Sequence, residues 1–159
     1  MNAQVWIAIG VGVAATVDDL ARRHIANWIP AAALAGGLGW QVGRAGWHGV
    51  LTALGGAVLG FCVFLIFYLM GGMGGGDIKL MAGFGSLLGA SLLLEAALWT
   101  AAIGGLMALG AIAWRGMFNS TAKRLGDVAA TPEEQERAAT IPYAPAITLG
   151  VWLALVPKG

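Results

Sequence analysis

The sequence predicts an all-α, polytopic membrane protein of about six transmembrane helices, in a single domain over residues 1–159. Three observations carry this expectation. Hydrophobic residues make up 58% of the chain and charged residues only 11%, with a mean hydropathy of +0.78. A soluble domain carries roughly a quarter charged residues, so this chain has too few to cover a water-facing surface and the lipid bilayer is its solvent. The apolar residues also fall into six segments, separated by charged or glycine-containing stretches. No internal repeat of roughly 20–50 residues is present. The formal net charge of +1 points to no nucleic-acid partner.

In chain order the segments are Ala3–Val17, Ile29–Trp40, Val50–Met70, Ile78–Leu94, Ala96–Trp114 and Ile141–Val156. A span needs about 20 predominantly apolar residues, fewer where a helix end is buried in protein. The first follows an N-terminus, MNAQVW, without the basic region of a signal peptide, and is expected to stay as a span. The second is short and interrupted by Gly36, Gly37 and Gly39; the third and fifth are the best defined. The third holds the one cysteine, Cys62, read as a buried or lipid-facing thiol. With one cysteine and no CxxC there is no intrachain disulfide and no cysteine zinc site. The fourth and fifth are separated only by Glu95, which predicts a very tight turn there. Glycines recur inside the spans, as at Gly55, Gly56 and Gly60 or Gly83, Gly85 and Gly89, and such small residues let membrane helices approach closely. The long polar connection Arg115–Thr140 contains TPEEQER, with Thr131 as N-cap, Pro132 in the first position and acids in the first turn. It predicts a short surface helix.

Charge placement orients the chain, because Lys and Arg gather in cytoplasmic loops. With six spans, the connections after the first, third and fifth hold Arg22, Arg23, Lys79, Arg115, Lys123, Arg124 and Arg137, against Arg44 and Lys158 on the other side. Both termini are therefore expected outside and those three loops in the cytoplasm.

The chemistry lies in two cytoplasmic stretches. GGMGGGDIK (Gly71–Lys79) leads a flexible glycine tract into Asp77 at the mouth of an apolar segment. An acid at that depth is expensive and is a functional-site hypothesis, although Asp is also a good helix-start residue. Glycine there offers backbone freedom and room for a substrate chain. TVDDLARRHIANW (Thr16–Trp28) places two acids at the end of the first span. Asp18 and Asp19 differ by about 100° around a helix, so one at most faces a given partner. The arginines that follow are able to neutralise them. Two aspartates from different helices at one depth suit aspartyl hydrolysis: one carboxylate deprotonates a water, and the other, protonated, donates to the scissile carbonyl. Two close carboxylates resist double ionisation and titrate as a pair. His24 and His48 are lone histidines, so no metal site is read.

GGGDIKLMAGFG (Gly74–Gly85) resembles the GxGD motif of the type IV prepilin peptidases. DLARRHIANW (Asp19–Trp28) is similar to their first motif, an Asp-Leu followed by basic residues and Ile-Pro-Asn, with Ala26 here in place of the proline. IPYAPAITLG (Ile141–Gly150) resembles the Pro-aromatic-x-Pro opening of their last helix. The three motifs occur in the family's order across the chain. The resemblance implies a GxGD aspartyl endopeptidase of the bacterial inner membrane, cutting the leader from prepilins or pseudopilins on the cytoplasmic side. It makes Asp19 and Asp77 catalytic, with Gly74, Gly76, Lys79, Asn27, Pro142 and Pro145 as motif or substrate-binding support. For the prolines, breaking and restarting the helix at the interface is one reading and lining the substrate channel another. For Lys79, orienting the loop or a pilin carboxylate stands beside snorkelling to the interface. The 159 residues hold no zinc-binding cysteine set like that of the longer, methylating members, so the likeness is to the short form of tight-adherence (Flp-type) pilus systems. No cofactor and no S-adenosylmethionine is implied. A small membrane carrier using the two aspartates, or a catalytically silent pilus or secretion assembly protein, are the competing classes. A presenilin-like protease fits less well, because Val17 rather than Tyr precedes the acid doublet.

Overall fold

The computed structural model describes residues 3–70, 73–122 and 142–157. They form helices α1 (Ala3–Arg22), α2 (Trp28–Leu69), α3 (Gly75–Ala122) and α4 (Ala144–Ala154), with no strand among the described residues. Three are long and apolar enough to cross a membrane: α1, α2 and the part Gly75–Ala111 of α3. At 11 residues, α4 covers about 16 Å, short of a hydrocarbon core of about 30 Å. Gly71, Gly72, Lys123, Arg124, Ile141, Lys158 and the surface helix expected at TPEEQER lie outside the described residues.

The outer surface is apolar. Trp6, Trp47, Val58, Leu69, Leu98 and Leu106 are all more than half exposed, and Cys62 is exposed as well. An apolar surface this extensive marks contact with lipid rather than water. The interior is built around Leu80, Met81, Phe84, Leu87, Leu93, Ile147 and Val151.

Helix α1 buries a stripe at helical spacing: Gln4, Ala8, Gly12, Ala15 and Asp19. Small residues on that stripe let α4 approach closely. A Cβ at Gly12 would lie 2.5 Å from Thr148 Cγ2. Thr148 donates to the Gly12 carbonyl (3.2 Å), Trp152 Nε1 donates to the Ala8 carbonyl (3.2 Å), and Thr16 donates to Thr148 (3.1 Å). Close packing with interhelical hydrogen bonds is how helices associate in lipid, where burial from water adds little.

Helices α2 and α3 have 42 and 48 residues, and straight helices of those lengths would reach about 63 and 72 Å, more than twice the hydrocarbon core. Both are broken by glycines in conformations that L-residues rarely adopt, Gly46 (φ 54°, ψ −128°) and Gly89 (φ 73°, ψ 173°). The chain reverses at each. Gly49 packs on the backbone of Gln41 and Val42, which a continuous helix would carry two turns away. Tyr143 lies against Gly104 and also senses the Asp77 carboxylate, positions about 40 Å apart on a straight helix. The resulting arms pack through the glycine spacing: Gly56 on Gly85, Gly60 on Met81, Gly37 on Leu87, Gly83 on Pro30 and Ala33.

The reversal corrects one expectation. The tight turn predicted at Glu95 lies at Gly89, and Glu95 sits inside the helix. A break at 89 deprives the Leu87 carbonyl of its helical donor. Two buried glutamines replace that donor, Gln4 Nε2 at 3.0 Å and Gln41 Nε2 at 3.1 Å. The connection expected between Trp40 and Val50 is likewise reduced to the single break at Gly46.

Candidate active site

The end of α1 sends its two adjacent acids to different tasks. Asp18 Oδ2 accepts the Ala26 N–H at 2.8 Å, and Oδ1 lies 3.3 Å from Arg22 Nε, so Asp18 folds the 23–27 connection back over the helix end. Arg23 ends the helix in the left-handed region (φ 53°) and its N–H bonds the Asp19 carbonyl at 2.8 Å. A left-handed residue just past the last turn is a common helix stop. Asp19 points inward with 7% of its surface exposed, and its Oδ2 accepts the Ala144 N–H at 3.0 Å. The Arg23 charge also acts on it.

The first N–H groups of α4 have no helical partner, and Tyr143, its N-cap, makes no side-chain cap bond. Asp19 takes that role from another helix, with its negative charge at the positive end of the α4 dipole. Pro145, in the first turn of α4, fits a position needing no donor, and Pro142 stands half-buried just ahead of the helix.

Asp77 sits in the first turn of α3 and reaches back to the Gly74 N–H (Oδ2, 3.0 Å), while its own N–H bonds the Gly74 carbonyl at 3.2 Å. This is half of a capping box, and an acid in a first turn suits the helix dipole. Asp77 is also only 7% exposed. The carboxylates of Asp19 and Asp77 lie near enough for the charge of one to act on the other. Tyr143, the N-cap of α4, lies within electrostatic reach of the Asp77 carboxylate.

Two contacts tie the connection after α1 to the start of α3. A Cβ at Gly76 would lie 3.2 Å from Ile25 Cβ, so a larger residue there would push the two apart. Lys79 Nζ donates to Asn27 Oδ1 at 2.9 Å, an exposed bond that links the two motif side chains. Gly74 and Gly75 have room for a Cβ, the nearest atoms being Asp77 Oδ2 at 3.5 Å and Tyr68 Cε2 at 3.9 Å. Among the described glycines of the tract none is left-handed. The requirement for glycine at 76 is therefore close approach, and the left-handed glycines among the described residues are Gly46 and Gly89.

Residues 6–109 match the Type IV leader peptidase family, and this stretch contains both aspartates. The chain belongs to that family. No curated protein and no solved structure matches it. For this leader peptidase family member, the family supports leader-peptidase activity of the aspartic type with prepilin substrates, and the apolar helices support a membrane protein. Asp19, Asn27, Gly74, Gly76, Asp77 and Lys79 all fall within the matched stretch, whereas Pro142 and Pro145 follow it. The structure gathers the first six where the end of α1 and its following connection meet the start of α3, with Asp19 also bonded to the start of α4. Sequence reasoning missed Tyr143, Ile25 and the N–H of Ala144. Tyr143 stood within the Pro-aromatic-x-Pro segment, but no local pattern connects it to Asp77.

Proposed function

We propose that this family member is a GxGD-type membrane aspartyl endopeptidase that removes the leader of type IV or Flp-type prepilins and pseudopilins, with Asp19 and Asp77 as its catalytic pair. The observation that carries the reading is two buried carboxylates from different helices within electrostatic reach of each other, one of them on the first N–H of α4, in a chain of the leader peptidase family. One carboxylate takes a proton from a water, whose oxygen attacks the scissile carbonyl carbon. The other, protonated, donates to the carbonyl oxygen. The tetrahedral intermediate then collapses: the C–N bond breaks, the amine leaves with a proton, and the pair returns to its starting state. Each aspartate commits one oxygen to a backbone N–H, which fixes its orientation before substrate arrives. Gly74, Gly76, Asn27 and Lys79 hold the two helix ends together, and Pro142 and Pro145 leave the α4 terminus open to Asp19.

We read α1, the two arms each of α2 and α3, and α4 as six segments of a multi-pass protein in the bacterial inner membrane. The excess of Lys and Arg at the Asp19 and Asp77 end favours a cytoplasmic active site. The test is co-expression with a candidate prepilin, following precursor mobility. Wild type should convert precursor to mature pilin and Asp77→Asn should not; no conversion by wild type of any pilin from the same genome would remove the reading.

A further inference from the structure

One residue acts on both members of the carboxylate pair. The backbone N–H of Tyr143, beside that of Ala144, acts on Asp19, and the Tyr143 phenol lies within reach of the Asp77 charge. The ring is held from behind. Gly104, in the second arm of α3, has no side chain, and the phenol takes that space: a Cβ at 104 would fall 2.6 Å from Tyr143 Oη and 2.7 Å from Cζ. Pro142 precedes Tyr143 and Pro145 follows two residues on, and each proline fixes its own φ, so the backbone that carries the ring has little freedom. Phe64, Phe67, Met73 and Ala101 line the same space as the ring, which makes its surroundings largely apolar. A hydroxyl donor in such surroundings is electrostatically stronger than one in water. Neither carboxylate depends on that hydroxyl for its orientation. Asp19 takes the Ala144 N–H and Asp77 the Gly74 N–H, each at 3.0 Å.

We propose that Tyr143 is a third catalytic residue, whose hydroxyl donates a hydrogen bond to the carbonyl oxygen of the scissile amide as that oxygen gains negative charge. The inference rests on the peptidase reading and adds a residue to it. A carbonyl oxygen has two lone pairs, and a phenol is a donor at neutral pH whose hydrogen turns to suit its acceptor. The protonated carboxyl of the pair serves one lone pair and Tyr143 the other. Tyr143 keeps its proton throughout, so the balance of the hydrolysis is unchanged: water still adds across the C–N bond, with proton transfer through the aspartates alone. Attack by the water turns the carbonyl carbon tetrahedral and moves charge onto its oxygen. The bond from Tyr143 therefore strengthens in the transition state, lowering the barrier without tightening the hold on the precursor. A ring already fixed against Gly104 needs no rearrangement at that moment, which is what makes such a donor effective.

The test uses the purified full-length protein in detergent with a purified prepilin. Initial rates over a range of precursor concentrations are compared for wild type, Tyr143→Phe, Gly104→Ala and the double variant. Tyr143→Phe keeps the ring and the backbone N–H and removes only the hydroxyl. It should lower kcat at least about tenfold, leave KM within about twofold, and unfold in urea at the wild-type midpoint. Gly104→Ala puts a Cβ where the phenol lies, so it should also lower kcat. In the Tyr143→Phe background it should add little, because both changes remove the same bond. An unchanged kcat in folded Tyr143→Phe overturns the role. So does a loss confined to KM, a loss matched by a lower unfolding midpoint, or losses that simply multiply in the double variant, as a packing role would give. If Tyr143→Phe does not accumulate, Gly104→Ala decides: a lower kcat at unchanged KM supports the role, and a wild-type kcat overturns it. A wild type that cuts no prepilin sinks the peptidase reading and this role with it, whereas cleavage by wild type that Tyr143→Phe equals sinks the role alone.

Discussion

Asp19 has two roles that a pair of substitutions separates. It caps α4 through the Ala144 N–H at 3.0 Å, and it supplies a carboxylate to the proposed pair. Asn caps a helix about as well as Asp but has no proton to exchange, so Asp19→Asn should keep the first role and lose the second. The acceptor becomes neutral, and since charged acceptors are worth about 1.5–3 kcal/mol against about 0.5–1.5 for neutral ones, Asn should cost about 1 kcal/mol of stability. Asp19→Ala removes the acceptor and leaves a buried N–H unpaired at the α4 terminus. That penalty is about 1–3 kcal/mol on top of the lost bond, so Ala should be clearly the less stable variant. The assay is urea-induced unfolding in detergent beside precursor cleavage in membranes. The expected result is stability in the order wild type, Asn, Ala, with no cleavage by either variant. Cleavage by Asp19→Asn at more than a few per cent of the wild-type rate would show that Asp19 only caps α4.

Three further outcomes follow from the same geometry. Asp18→Asn should still cleave, since Asp18 faces the Ala26 N–H and Arg22 rather than the pair; complete loss in a folded protein would mean that the wrong member of the doublet was assigned. Gly89→Ala should destabilise more than Gly46→Ala. Both force an L-residue into a rarely occupied region at about 1–3 kcal/mol, but only at Gly89 does a Cβ also meet Thr52 Cγ2, at 2.9 Å, and unfolding in detergent reads the difference. Gly76→Val should cut the cleavage rate at least about tenfold by pushing Ile25 and the Asp19 connection away, whereas Gly75→Ala should stay near wild type, and equal losses at both would remove close approach as the reason for Gly76.

Much of the architecture was legible because it depends on patterns that sequence displays directly. The low charge foretold the apolar exterior, and the glycine spacing foretold close helix contacts such as Gly56 on Gly85. The turn at Gly89 was not legible. It is a one-residue break inside an unbroken apolar run, while Glu95 offered the only charge and so the only visible boundary. What makes the break at 89 tolerable is Gln4 and Gln41 meeting at one carbonyl, a contact across 83 and 46 residues that no local pattern announces. The site divides in the same way. Asp19 and Asp77 stood out as acids at the ends of apolar segments, and Arg22 was recognisable as a neutralising partner one turn from the doublet. The capping of α4 by Asp19 joins residues 125 apart in sequence and needed the folded chain.

The most direct test of the central claim is cleavage by purified components. The wild-type protein in detergent is mixed with a purified prepilin, the products are mapped by mass spectrometry, and Asp19→Asn and Asp77→Asn are assayed alongside at equal folded concentration. The account predicts a single cut between leader and mature pilin by wild type, and intact precursor with each variant. The same cut made by either folded variant would contradict an aspartate pair as the source of the activity.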